Sequence, residues 1–137
     1  MIKQLFRGSL VMLGLVSAMA SAADTPASLM ANYAQAAGVP VSGLSAKRGE
    51  ALYRTEHAGR DGKAVSCASC HTANPQQAGR TRVNKPIEPL APVANPQRFT
   101  DGAKVEKWFR RNCSDVLQRE CSAQEKGDFI AWLSQLK

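Results

Sequence analysis

The chain has 137 residues, a length that fits a single domain. It carries 18 lysine and arginine residues against 11 aspartate and glutamate residues, giving a formal net charge of +7. The basic residues do not form a run with interleaved aromatic side chains, so the composition does not indicate a nucleic-acid-binding protein. A moderate positive charge is typical of a solvated surface, and in a functional role it would steer the protein toward an acidic redox partner.

The first 22 residues have the pattern of an export signal. Lys3 and Arg7 form a basic start, residues 8–19 form an apolar run, and residues 20–22 form an A-x-A cleavage site. The run is shorter than the ~20 residues of a spanning helix, and no cysteine follows the cleavage site, so neither an uncleaved anchor nor a lipoprotein is expected. We therefore expect a signal peptide at 1–22 and a periplasmic domain at 23–137, without stable membrane insertion after cleavage.

Two helices are predicted before the middle of the chain. Thr25 and Pro26 are typical of a helix start, and Gly38 of its end. Ser45 begins a second helix in which Gly49 is spaced to face inward. A glycine at such a position favours a close crossing by another helix.

A polar, glycine-containing loop then leads to the motif CASCH at residues 67–71, which has the spacing of a covalent haem attachment site. Cys67 and Cys70 can form thioether bonds to the two vinyl groups on one edge of the porphyrin. The adjoining His71 then gives the iron its proximal imidazole nitrogen. The motif predicts one covalent haem c.

The alternatives for this motif are a thioredoxin-like redox pair and half of a zinc site. A redox pair would be accompanied by alternating strands and helices, a pattern that this sequence lacks. Zinc would need a second close pair of ligands, whereas Cys113 and Cys121 are eight residues apart. In an exported chain these two remaining cysteines are expected to form a disulfide.

Residues 72–99 contain five prolines, which exclude a continuous helix. A loop of this length in a compact domain is usually functional or disordered. We expect it to wrap the haem edge through Ile87, Leu90 and Val93.

The last third of the chain predicts two more helices. Asp101, with the preceding threonine, is the N-cap of the first, whose apolar stripe includes Trp108 and continues to the polar Asn112. Ser122 and Glu125 form a capping box for the last helix. The fold class is therefore all-α, with N-terminal and C-terminal helices packed around one covalent haem.

The sixth iron ligand is left open by the residues alone. No methionine follows the haem motif, so the His/Met ligation of ordinary small cytochromes c is not expected, and Met30 fits a core position better than a ligand position. The alternatives are His57, a lysine with an unusual pKa such as Lys104 or Lys107, a vacant position, or the amide of Asn112. By spacing, Asn112 is more typical of a helix C-cap.

Nearly the whole mature chain resembles the sphaeroides haem protein family, small monohaem c-type cytochromes of the class I cytochrome c-like type. The resemblance is carried by the haem motif and by PLAP (89–92), NPQRFTD (95–101), KVEKWFRRNC (104–113), REC (119–121) and EKGD (125–128). It implies that Asn112, directly before the Cys113–Cys121 disulfide, is the sixth ligand and is released on reduction. It also implies binding of small diatomic molecules (O2, NO, CO) at the freed iron, and dihaem or b-type cytochromes as redox partners.

Three functions remain to be distinguished. The first is a ligand-binding haem protein with Asn112 as a displaceable ligand of ferric iron. The second is a plain electron-transfer cytochrome with a saturated haem, ligated by His57. An enzyme is the least supported, because the sequence identifies no acid–base pair beside the haem.

Overall fold

The computed structural model describes residues 23–137, so the predicted signal peptide lies outside the described residues. This part of the chain is mostly helical, with α1 Pro26–Ala37, α2 Ala46–Arg54, α3 Ala68–His71, α4 Gly102–Leu117 and α5 Ala123–Leu133. The two predicted loops each contain a short antiparallel hairpin, β1 His57–Ala58 with β2 Ala64–Val65 and β3 Gly79–Arg80 with β4 Pro86–Ile87. The helical class is confirmed.

The predicted helix starts are also confirmed. The side chains of Thr25, Ser45, Asp101 and Ser122 each accept a hydrogen bond from a backbone N–H three residues later. These bonds satisfy N–H groups that the first turn of a helix leaves without partners. Gly38 ends α1 in the left-handed conformation, with φ of 70°.

Helix α5 is central to the fold because both α1 and α2 pack against it. A Cβ atom built on Gly49 would lie 2.0 Å from the carbonyl oxygen of Asp128, so α2 crosses α5 at backbone contact, as predicted. The crossing buries Tyr53, Ile130 and Leu133 completely or almost completely. Burial of such side chains is the main source of stability in a small domain.

Two carboxylates join the helices. Glu106 on α4 accepts hydrogen bonds from the Tyr33 hydroxyl (2.5 Å) and from Nζ of Lys126 (2.8 Å), which links α1, α4 and α5. The buried Asp128 accepts bonds from the backbone N–H of Ser45 (2.6 Å) and from Nε of Arg48 (2.7 Å). The start of α2 is thereby fixed to α5.

Helix α4 is longer than the sequence pattern predicted. It continues through Leu117 and ends at Gln118, which has a left-handed φ of 55°, so the C-cap interpretation of Asn112 is wrong. No glycine or proline interrupts residues 113–117, and the buried Cys113 and Val116 extend the inward face of the helix. Among residues 23–137, no helix combines the length and apolar character needed to cross a membrane.

Candidate haem-attachment site

The structure separates the four cysteines into two pairs, as predicted. Cys113 and Cys121 form a disulfide, whereas Cys67 and Cys70 are free and partly exposed. Helix α3 begins directly after Cys67 and ends at His71. The short helix therefore presents two thiols and one imidazole within five residues.

Local hydrogen bonds fix the backbone of the motif. The N–H of Ser66 donates to Oγ of Ser69 (3.0 Å), and the N–H of His71 donates to the carbonyl oxygen of Cys67 (3.0 Å). The hydroxyl of Tyr53, which is completely buried, donates to the carbonyl oxygen of Thr72 (2.5 Å). The core thus holds the end of α3 in place.

Gly79 supports the motif, a role that was not predicted from the sequence. A Cβ atom at this position would lie 2.0 Å from the carbonyl oxygen of Cys70 and 2.9 Å from Cα of His71. Strand β3 therefore contacts the backbone of the motif. A larger residue at position 79 would displace either β3 or α3. Glycine in a strand often marks such a close approach of two backbones. The sequence predicts no strand at this position, so the glycine could not be interpreted in this way.

The environment of His71 favours a neutral imidazole. Burial lowers the pKa of His71 to about 4, with a further lowering contribution from the positive charge of Arg98. Arg98 is fixed by its own hydrogen bonds, with Nε donating to the carbonyl oxygen of Pro89 and a terminal nitrogen to that of Glu88, both at 2.7 Å. A neutral imidazole has the lone pair needed to bind a metal. Arg98 was also not identified from the sequence.

These residues fit a haem c group. The donor set is two thiols and a neutral imidazole, and burial raises the pKa of Cys67 to about 11, so that it is a thiol. Cys67 and Ala68 pack against the apolar core, which also contains the aromatic rings of Tyr53, Phe129 and Trp132. Apolar residues of this kind beside the two thiols suit the attachment of a porphyrin. Within residues 23–137, no cluster of three or more His, Cys, Asp or Glu side chains is arranged to hold a metal ion.

Asn112 lies in the interior of α4 with an exposed side chain. Trp108, one turn earlier, is 41% exposed and is approached by Lys107 and Arg111 at 5.9 and 5.7 Å from its ring. Directly after Asn112, the buried Cys113 begins the disulfide. No hydrogen bond among the described residues joins Asn112 to the haem motif, so its role as a ligand stays a prediction.

The other ligand alternatives lie in different surroundings. His57 is paired with Val65 in the first hairpin, and its Nε2 atom is buried without a hydrogen-bond partner among the described residues. The cleft beside it is lined by residues of α2 and α5, including Leu52, and by no residue of the motif. Met30 packs against the apolar core, which confirms its interpretation as a core residue.

The loop predicted to wrap the haem edge is anchored rather than free. The N–H groups of Leu90 and Ala91 both donate to the carbonyl oxygen of Pro75, at 2.8 and 3.0 Å. Leu90 packs against the core, Ile87 is half-buried, and Val93 is exposed. The contacts of these three side chains with a haem remain a prediction.

Comparisons with known proteins identify the family of this chain. Residues 40–133 match the family described as "Domain of unknown function (DUF1924)". Cytochrome c-type protein SHP of Cereibacter sphaeroides is 46% identical over 91% of this chain and 95% of its own length.

Two solved structures have the same fold. Oxidised SHP, described as an oxygen-binding cytochrome c, matches with a TM-score of 0.76 at 46% identity, covering 83% of this chain and 99% of that one. The solution structure of Methylophilus methylotrophus cytochrome c'', described in connection with haem-ligand detachment, matches with a TM-score of 0.69 at 37% identity, covering 81% and 93%. The chain therefore belongs to the SHP family, small class I-like cytochromes that carry one covalent haem c.

Proposed function

We propose that this cytochrome binds a small diatomic molecule, such as O2, NO or CO, and that Asn112 controls access to the iron. Cys67 and Cys70 hold the porphyrin, and His71 is the proximal ligand. The haem supplies an iron that changes charge by one electron and accepts one further ligand. Residues 23–137 form the haem domain, which remains in the periplasm after export and cleavage of residues 1–22, and a dihaem or b-type cytochrome supplies the electron.

The position of Asn112 carries the proposal. Its backbone lies within α4, and the next residue is fixed by the disulfide from Cys113 to Cys121. Its amide is exposed and forms no hydrogen bond to another described residue, so it remains available to a metal. A neutral amide is a weak, hard donor that binds the more Lewis-acidic ferric ion better than the ferrous ion. Asn112 therefore ligates the oxidised state and leaves on reduction.

The relatives support this assignment. SHP, at 46% identity, is described as binding oxygen, and cytochrome c'' is described as detaching a haem ligand. A chain that has this fold, with an asparagine directly before a disulfide cysteine, is suited to the same combination of properties.

A second candidate is an electron-transfer cytochrome in which His57 saturates the iron. The buried, unpartnered Nε2 atom of His57 favours it, because a buried polar atom without a partner costs free energy. Against it, the cleft beside His57 includes no residue of the haem motif.

The test compares Asn112→Ala with His57→Ala in the holoprotein. We expect Asn112→Ala to keep the covalent haem and to bind cyanide in the ferric state at least ~10-fold faster. Cyanide no longer has to displace Asn112, a step that costs about 1.4 kcal/mol or more in the wild type. We expect His57→Ala to leave the absorption spectra unchanged. Reduced wild-type protein should bind CO. Loss of the sixth ligand in His57→Ala alone, with no CO binding in the wild type, would show that the second candidate is correct.

A further inference from the structure

We propose that the rim of a cleft beside Cys70 is the docking surface for an acidic redox partner. This inference rests on the proposed function, which requires a protein to supply an electron. The cleft has a volume of about 290 Å³ and is lined by Cys70 together with Lys63, Arg80, Arg82 and Asp61. We call these three cations and their surroundings the Cys70 rim.

The two hairpins build this rim. Lys63 lies in the turn before β2, while Arg80 belongs to β3 and Arg82 follows it in the next turn. Strand β3 is in turn pressed against the backbone of Cys70 at Gly79. The part of the rim that carries Arg80 and Arg82 is thus held beside the haem motif by backbone contact.

The positive charge of the rim is not neutralised within the domain. None of the ion pairs in residues 23–137 includes Lys63, Arg80 or Arg82. Arg80 donates to the backbone and side-chain oxygens of Asn84, both at 3.3 Å, and these acceptors are neutral. Asp61 is the single acidic side chain in the lining. The cleft therefore presents a net charge of about +2 to an approaching surface.

Several other basic side chains of the domain are neutralised by carboxylates. Carboxylates pair with Arg48 (2.7 Å), Arg54 (2.9 Å), Arg119 (2.7 Å) and Lys126 (2.8 Å). Three of these pairs join two helices or lie within α2, and the pair of Arg119 joins the segment before α5 to that helix, whereas the rim cations form no ion pair. Their charge fits a role in binding a partner better than a role in stabilising the fold.

The location suits electron entry. Cys70 lines the cleft, and it is one of the two residues proposed to bond the porphyrin, so a partner docked on the rim lies beside the covalent edge of the haem. An acidic surface would be attracted to the three cations, and such steering raises association rates by about 10- to 1,000-fold.

A rival surface lies on α4. Lys104, Lys107 and Arg111 are exposed there, beside Trp108 and Asn112. A partner bound to this face would cover the residue proposed to open the iron. The rim is therefore the better site for a donor that must act while a diatomic molecule enters.

Stopped-flow reduction of the holoprotein by reduced flavodoxin, a small acidic redox protein, distinguishes these surfaces. We expect the triple variant Lys63→Gln, Arg80→Gln, Arg82→Gln to react about 10-fold more slowly at low ionic strength and to approach the wild-type rate at high salt. The matched control Lys104→Gln, Lys107→Gln, Arg111→Gln removes the same charge from α4 and should remain within about twofold of the wild type.

Both triple variants should be reduced by neutral photoreduced lumiflavin at the wild-type rate, which shows that the haem site is intact. Equal slowing of the two variants with flavodoxin, or slowing of the α4 variant alone, would overturn the proposal. CO binding by the reduced protein is measured separately. A lack of CO binding would contradict the proposed function. The docking proposal is tested separately, by the rates of reduction with flavodoxin.

Discussion

Replacement of Gly79 by alanine tests whether the second hairpin positions the haem motif. The added Cβ atom would lie 2.0 Å from the carbonyl oxygen of Cys70, and carbon atoms of this kind essentially never approach closer than 3.0 Å. Strand β3 and α3 must therefore separate by about 1 Å. Both neighbours are backbone, so no side-chain rotation can relieve the contact.

The magnitude follows from the same contact. Overpacking of this size costs about 1–3 kcal/mol, and for a domain of about 100 residues each kcal/mol lowers the melting temperature by about 4–8 °C. Alanine at a glycine position with ordinary φ would otherwise stabilise by about 0.4–1 kcal/mol through the unfolded state. We therefore expect the melting temperature of Gly79→Ala to fall by about 10 °C, whereas an unstrained Gly→Ala substitution would raise it.

Thermal unfolding of the holoprotein and its haem content are the measurements. Gly43→Ala is the matched control, because its Cβ atom would meet Val39 at 3.4 Å, an ordinary contact distance. We expect the control to remain within about 0.5 kcal/mol of the wild type. Displacement of His71 by the shifted hairpin should also change the ferric spectrum of Gly79→Ala alone. Wild-type stability and spectrum in this variant would refute the proposed contact.

Three further predictions concern the framework of the domain. Gly49→Ala should lower the free energy of unfolding by about 1–3 kcal/mol in urea titrations, because the new methyl group meets the α5 backbone; unchanged stability would contradict the close crossing. Replacing both Cys113 and Cys121 by serine should lower the free energy of unfolding by about 2–3 kcal/mol in the same assay, because the unfolded chain gains the entropy of a loop that the disulfide closes between residues eight positions apart. The hydrogen bond from Arg119 holds the pKa of Glu125 at about 2, below its ordinary value of 4.5. The ionised Glu125 therefore stabilises the fold above pH 4.5, and this stabilisation is lost as the pH falls toward 2. Solvent screens this partly exposed pair, so the decrease in the free energy of unfolding on acidification should be about 1 kcal/mol smaller in Glu125→Gln than in the wild type. A plot of stability against pH would be flatter for the variant.

The helix starts could be predicted because their signals are local. The N-cap residues Thr25, Ser45, Asp101 and Ser122 act on N–H groups only three residues away. The haem motif has the same property, since the chemistry of haem c fixes its spacing within five residues. The close crossing at Gly49 could also be predicted, because glycine weakens a helix and is favoured on its inward face mainly where another backbone approaches.

The contacts that support the site could not be predicted in this way. Gly79 acts on Cys70 through a hairpin of two-residue strands, which carry almost no periodic signal. Arg98 influences His71 from 27 positions along the chain, through a loop whose path only the fold determines. The sequence pattern places the end of α4 at the polar Asn112, whereas the helix continues to Leu117 because nothing after Asn112 breaks it.

The greater length of α4 changes how a weak ligand could be held and released. Asn112 has a full turn of helix after it, and the disulfide at Cys113 joins that turn to the residue before the N-cap of α5. Earlier in α4, Glu106 is hydrogen-bonded to Tyr33 and Lys126. A helix restrained on both sides of Asn112 resists displacement, so under the proposed function release of the amide would need only the rotation of one side chain. The backbone of α4 would then remain in place, and the same amide could return on oxidation or donate a hydrogen bond to an entering diatomic molecule.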